Sequence, residues 1–119
     1  MRYLLLIHSD ETIYPKMTDA ENAALMAEYG RFTAALRDAG AFVTADRLRP
    51  TTTATTVRIR DGRTLTTDGP FAETKEQLGG YYLIDVDNLD DALAWAARVP
   101  SARHGSIEVR PIWETPASG

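Results

Sequence analysis

Tyr3-Leu4-Leu5-Leu6-Ile7-His8 constrains the fold of this chain more than any other stretch. The run is short, apolar and bounded by polar residues, which is the pattern of a strand buried on both faces. Such a strand cannot sit at a sheet edge, and it needs cover on each side. Period two puts Tyr3, Leu5 and Ile7 on one face and Leu4, Leu6 and His8 on the other. The first cover comes next in the chain. Thr18-Asp19-Ala20-Glu21 matches a capping box, and Gly40 supplies a C-terminal stop. Leu25, Tyr29, Phe32 and Leu36 fall at helical spacing between them, which predicts an amphipathic helix from Thr18 to about Ala39, packed on the sheet.

The rest of the chain alternates in the same way. Ser9 to Lys16 reads as a loop, Ala41 to Ala45 as a short strand and Asp46 to Thr53 as an irregular link. Thr55 to Arg60 alternates, Asp61-Gly62 gives a strong hairpin signal, and Arg63 to Thr67 returns. Arg58 and Arg60 oppose Val57 and Ile59. Their row reads as a solvated face, with an anion contact or a subunit interface as the alternative. Gly80 to Val86 is a further strand. Asn88 or Asp90 can cap a second helix over roughly Leu89 to Arg98, with Leu89, Ala92, Leu93, Ala96 and Val99 inward. Pro100 ends it, His104 falls in a surface loop, and Ser106 to Ile112 is the last strand. Residues 1–113 form one domain, and the tail from Trp113, residues 114–119, is expected to fray.

The order β-α-β-hairpin-α-β predicts an α+β fold, a ferredoxin-like sandwich with an extra hairpin strand. Both helices then cover one sheet face. The other keeps Leu4, Leu6 and one parity of residues 80–86, too apolar to leave in water, so a homodimer through that face is expected.

Charge and composition exclude several functions. A net charge of −4 argues against nucleic acid, whose binders show a basic face. The chain has no cysteine, so thiolate chemistry and cysteine-ligated metals are excluded. The opening apolar run spans only Tyr3 to Ile7, too short for a signal peptide, and nothing approaches the roughly 20 residues of a membrane span. A cytoplasmic protein with no membrane association is expected. No Walker-type loop, GxGxxG or Gly-x-Ser-x-Gly elbow is present, so no cofactor is expected. His8, Asp68, Glu73 and Glu76 lack metal-ligand spacing, and no metal is expected either.

The densest set of functional groups is Asp68-Gly69-Pro70-Phe71-Ala72-Glu73-Thr74-Lys75-Glu76. Gly69 and Pro70 restrict the turn, Gly69 through a positive φ or a close approach, and Asp68 can hold it by accepting backbone N–H bonds. Phe71 is expected to plug the core or a dimer contact. Glu73, Lys75 and Glu76 can form a local ion-pair set or bind an anionic substrate. Arg110, on the outward face of the last strand, could add to such a site.

This run, followed by Gly79-Gly80-Tyr81-Tyr82, resembles the hallmark of DGPF-type proteins, a branch of the YCII-related (YciI-like) family. Leu4-Leu5-Leu6-Ile7-His8, Thr56-Val57-Arg58, Asp61-Gly62 and Gly105-Ser106-Ile107-Glu108-Val109-Arg110-Pro111 agree with it. The resemblance implies a ferredoxin-like fold in dimers of the dimeric α+β barrel type. It also implies a functional link to extracytoplasmic-function sigma factors. Some relatives use a His–Asp pair in a pocket, and one branch removes chloride from a hydroxylated aromatic ring. His8 matches the position of the family's histidine. The family's Asp-Pro after the second helix is replaced here by Arg98-Val99-Pro100, so Asp68 becomes the nominated acid. The expected site is therefore His8 and Asp68 as an acid–base pair, with Glu73, Lys75, Glu76 and Arg110 binding a small polar or aromatic molecule. The alternative is a non-catalytic dimer that binds a ligand or a protein in sigma-factor regulation.

Overall fold

A computed structural model describes residues 1–115. Strands β1 (Arg2–Ser9), β2 (Phe42–Arg47), β5 (Gln77–Asp85) and β6 (Ser106–Pro111) form a four-stranded sheet in the order β2-β5-β1-β6. Every neighbouring pair in it is antiparallel. With helix α1 (Asp19–Asp38) and helix α2 (Leu89–Ala96), this is a mixed α+β fold with the strand order of a ferredoxin-like sandwich. β1 is central, as its two-sided apolar pattern requires.

Local chemistry sets the helix ends. Thr18 Oγ1 accepts from the Glu21 amide at 3.1 Å, and the Glu21 carboxylate accepts from the Thr18 amide at 3.0 Å. Beyond α1 the chain reverses at Gly40, whose φ is +71°. The Asn88 side chain caps α2 by accepting from the Asp91 amide.

The core lies between sheet and helices. Tyr3, Leu5, Ile7, Tyr82 and Ile84 from the sheet meet Phe32 and Leu36 of α1 and Ala92 and Ala96 of α2. Leu5, Leu36 and Ile84 are fully buried, each contributing about 1.5–3 kcal/mol of transfer free energy. Phe32 packs edge-on against Tyr82 and Trp95. Leu89 and Leu93, expected inward, are exposed. Ala92 and Ala96 carry the contact because their small side chains let α2 approach the sheet closely, which leaves the leucines on its flanks.

Four other expectations are corrected. Ser9 to Lys16 is not an open loop. Its Glu11–Lys16 portion winds as a 3-10 turn capped by Asp10. The second strand continues to Arg47, because its backbone keeps pairing with Tyr81 and Gly80 of β5. The hairpin of β3 (Thr55–Arg60) and β4 (Arg63–Asp68) adds no strand to the main sheet but forms a separate two-stranded sheet. Its turn has positive φ at Asp61 and Gly62, as the Asp-Gly signal predicts. Every residue of β4 is exposed, so the hairpin stands off the body. The radius of gyration is accordingly 16.6 Å, against about 13.5 Å for a compact chain of this length. Finally, the chain does not fray at Trp113. Arg2 donates two hydrogen bonds to Glu114, at 3.0 and 2.9 Å, and anchors it. The rest of the expected tail, residues 116–119 with Pro116, lies outside the described residues. Among the described residues no helix is long and apolar enough to cross a membrane.

Candidate functional site

Antiparallel register decides what surrounds His8. It pairs with Leu78 of β5 on one side and Ser106 of β6 on the other. Ile7 pairs with Gly80, so Gly79 is an extra residue in β5, a bulge beside His8. The loop before β5 is thereby delivered to the end of β1. His8, Thr74, Lys75, Glu76, Ser106, Ile107 and Glu108 line one open cleft. Gly105 completes the support: a Cβ there would overlap the His8 carbonyl oxygen.

In this cleft His8 Nε2 lies 3.4 Å from Glu108 Oε1. That is within ion-pair reach but longer than a hydrogen bond. The same nitrogen is buried and has no hydrogen-bond partner. The other Glu108 oxygen accepts from the Arg110 guanidinium. A carboxylate held between an imidazole and an arginine is thus the acid nearest to His8. Glu76 Oε1 accepts from the Ser106 hydroxyl at 2.7 Å, and Lys75 adds a positive charge to the rim. Among the described residues none of Glu73, Lys75 and Glu76 forms an ion pair.

The expected site residues divide accordingly. His8, Lys75 and Glu76 line the cleft, and Arg110 reaches it through Glu108. Glu73 and Asp68 are not among its lining residues. Asp68 ends β4, exposed and paired with Thr55. Gly69 has the positive φ expected of it, +98°. The turn there is held by the Gly69 amide donating to the Ala54 carbonyl at 2.7 Å and by Thr56 Oγ1 donating to the Gly69 carbonyl at 2.8 Å. Phe71 is 79% exposed and plugs no core. Glu108 was missed because it reads as an outward residue of an edge strand. Its spacing from Arg110, i to i+2 on one strand face, was the available signal. Among the described residues no group of three or more His, Asp or Glu is placed to hold a metal ion.

A second cavity, of about 520 Å³, opens on the helix side of the sheet. Asn22, Leu25, Met26 and Tyr29 of α1 form one wall, the 3-10 turn with Tyr14 and Pro15 another, and Ile7, Ser9 and Tyr82 the floor. Gly79 and Gly80 keep that floor open. At Gly80 a Cβ would come within 2.9 Å of the Asp46 carbonyl oxygen, so only glycine lets β2 close on β5 there. Two hydroxyl pairs line the deep end, Ser9 Oγ with Tyr14 and Tyr29 with Ser101 Oγ, both at 2.6 Å. Burial raises the Tyr29 phenol above the ordinary tyrosine range, opposed in part by its hydrogen bond to Ser101. Tyr14 and Arg47, which fall in segments read as loop, gave no sequence signal. The Gly79-Gly80 pair inside a strand was the one available.

Comparison with known proteins places these features in a family. The YCII-related domain matches residues 1–116. A protein of Rhizobium meliloti (strain 1021), itself described as uncharacterized, is 41% identical over 114 residues, covering 94% of this chain and 92% of its own length.

Proposed function

Because the chain belongs to the YCII-related domain family, we propose that its open cleft binds a small polar or aromatic molecule and moves a proton at His8. In this reading Glu108 rather than Asp68 is the carboxylate that partners His8. The observation that carries it is the buried, unpartnered Nε2 of His8 facing Glu108 in a cleft rimmed by Lys75. A buried nitrogen without a partner is costly, so a bound group that supplies one is favoured in this cleft. Arg110 donates to Glu108 and orients it. Lys75 draws an anionic group into the cleft, and the remaining ring nitrogen exchanges a proton with it. The test is a thermal-shift screen of small polar and aromatic acids, followed by a search for turnover by NMR. We expect a stabilising compound to lose its effect in His8→Ala, to be weakened in Lys75→Ala, and to be unaffected in Asp68→Asn. Any turnover should fall by about 10²-fold or more in His8→Ala. A compound bound and converted equally well by His8→Ala refutes this reading.

The cleft lies on the sheet face away from the helices. Leu4, Leu6, Tyr81 and Leu83 are only half-buried on that face, and Val57, Ile59 and Leu65 are exposed on the projecting hairpin. These surfaces support a homodimer of the dimeric α+β barrel type, joined through the sheet face. Sedimentation at micromolar concentration should give twice the chain mass; a monomer overturns it. The exposed hairpin also favours a second reading, a non-catalytic dimer that binds a ligand or a protein in sigma-factor regulation.

A further inference from the structure

The helix-side cavity is independent of the His8 cleft, since β1 sends alternate residues to opposite faces and Ile7 and Ser9, not His8, line it. Its volume of about 520 Å³ falls among small-molecule sites, about 300–1,000 Å³. Its walls are Ile7, Leu25, Met26 and Ala45 with the rings of Tyr29 and Tyr82. Its polar lining comprises Arg47, Asn22, the acids Glu11 and Asp46, and the hydroxyls of Ser9, Tyr14, Tyr29, Tyr81 and Ser101.

At the mouth stands Arg47. Its Nη1 lies 3.9 Å from Met26 Sδ, so the guanidinium reaches from β2 towards α1 across the opening. Among the described residues no carboxylate lies within 4.0 Å of it. Both acids that line the cavity are occupied elsewhere. Glu11 accepts from the amide and hydroxyl of Thr51, and Asp46 accepts from the Tyr81 phenol at 2.6 Å. The guanidinium therefore has no anion of its own. At the deep end, the Ser9–Tyr14 and Tyr29–Ser101 pairs are each joined by a single hydrogen bond. A hydroxyl carries one donor and two acceptor sites, so both pairs keep capacity for a ligand's polar group.

We propose that this cavity binds a small carboxylate with a flat or compact apolar body. The carboxylate pairs with Arg47 at the mouth, and the apolar body fills the space between Leu25, Met26 and Tyr82. A polar substituent at the far end meets the two hydroxyl pairs. Arginine suits a carboxylate because its planar fork donates two parallel hydrogen bonds.

Isothermal titration with 1-naphthoate and with its neutral amide, 1-naphthamide, tests the assignment. The two probes share a shape and differ in charge. Wild type should bind one naphthoate per chain, about three- to tenfold more tightly than the amide, the range for a charge-assisted contact at a partly exposed site. Arg47→Met should abolish that preference and leave the amide's affinity unchanged. Met26→Trp, which fills the mouth from an exposed helix position, should weaken both probes. Circular dichroism on each variant confirms that the fold is kept. Three results overturn the proposal: equal affinity of the two probes for wild type, a preference that survives Arg47→Met, or no saturation below about 1 mM. Loss of naphthoate binding in His8→Ala also overturns it, because the probe then occupies the open cleft.

Discussion

The hydrogen bond between Tyr29 and Ser101 ties the middle of α1 to the turn after α2, and removing its two halves should have unequal, non-additive effects. The hydroxyls are 2.6 Å apart, and Ser101 is 1% exposed. Tyr29→Phe deletes one hydroxyl and leaves Ser101 Oγ buried without that partner. An orphaned buried polar group costs about 1–3 kcal/mol. Ser101→Ala leaves the Tyr29 phenol behind instead. That phenol lines an open cavity where water can reach it, so the cost is about 0.5–1.5 kcal/mol. The double variant loses one net hydrogen bond but strands no group, again about 0.5–1.5 kcal/mol. It should therefore be less damaging than the sum of the single changes by about 1 kcal/mol or more. Urea unfolding at one fixed protein concentration measures all four corners, a precaution that keeps any association from entering the differences. Trp95 reports the transition, since it packs edge-on against Phe32, whereas Trp113 is 92% exposed and reports little. Additivity within about 0.5 kcal/mol would show instead that the two hydroxyls are not energetically coupled.

The two glycines that differ most in surroundings should respond to alanine with opposite signs. Gly105→Ala drives a Cβ into the His8 carbonyl, a backbone group that cannot turn aside, and should cost about 1–3 kcal/mol or more in urea midpoint. Gly30→Ala lies within α1 with nothing within 4 Å of the new Cβ, and should stabilise by about 0.5–1 kcal/mol. Thr18→Ala removes the α1 cap and should cost about 0.5–2 kcal/mol. The Thr18 amide, and then its hydroxyl, hold the Glu21 carboxyl below the ordinary glutamate range. Its contribution to stability is therefore complete above that range and lost as pH falls through the lowered folded value. Melting temperatures measured down the acid limb should fall less steeply in Glu21→Gln, and an unchanged slope would count against the cap. At the alkaline end, the raised Tyr29 phenol contributes stability that is complete below the ordinary tyrosine range and lost as pH climbs through its folded value, so Tyr29→Phe should flatten that limb.

Much of the fold was legible in local signals because each is settled within a few residues. The short apolar run of Tyr3 to His8 marked a central strand. Thr18 and Glu21 fixed where α1 begins, Gly40 where the chain leaves it, and Asp61-Gly62 the hairpin turn. Those residues act through their own backbone or through neighbours three or four positions away, so no tertiary information is needed to read them. The interior of α2 shows the limit. Its period allowed Leu89 and Leu93 to face inward, but the approach distance set by Ala92 and Ala96 chose otherwise.

The candidate sites depended on longer-range choices. His8 and the loop ending at Glu76 are 68 positions apart in sequence, and only the β1–β5 register with its bulge at Gly79 brings them together. Glu108 displaced Asp68 as the acid beside His8 for the same kind of reason. β6 lies against β1, whereas β4 pairs only with β3 and carries Asp68 outward on the hairpin. The helix-side cavity had no local signature beyond the Gly79-Gly80 pair, because its walls come from both sheet and helix layers and its emptiness is a property of their spacing. Side-chain period and backbone capping marked the two helices and the main strands from the sequence alone, because both act within a few residues. Which functional groups meet followed instead from strand order, register and the distance between layers, none of which is local to any one segment.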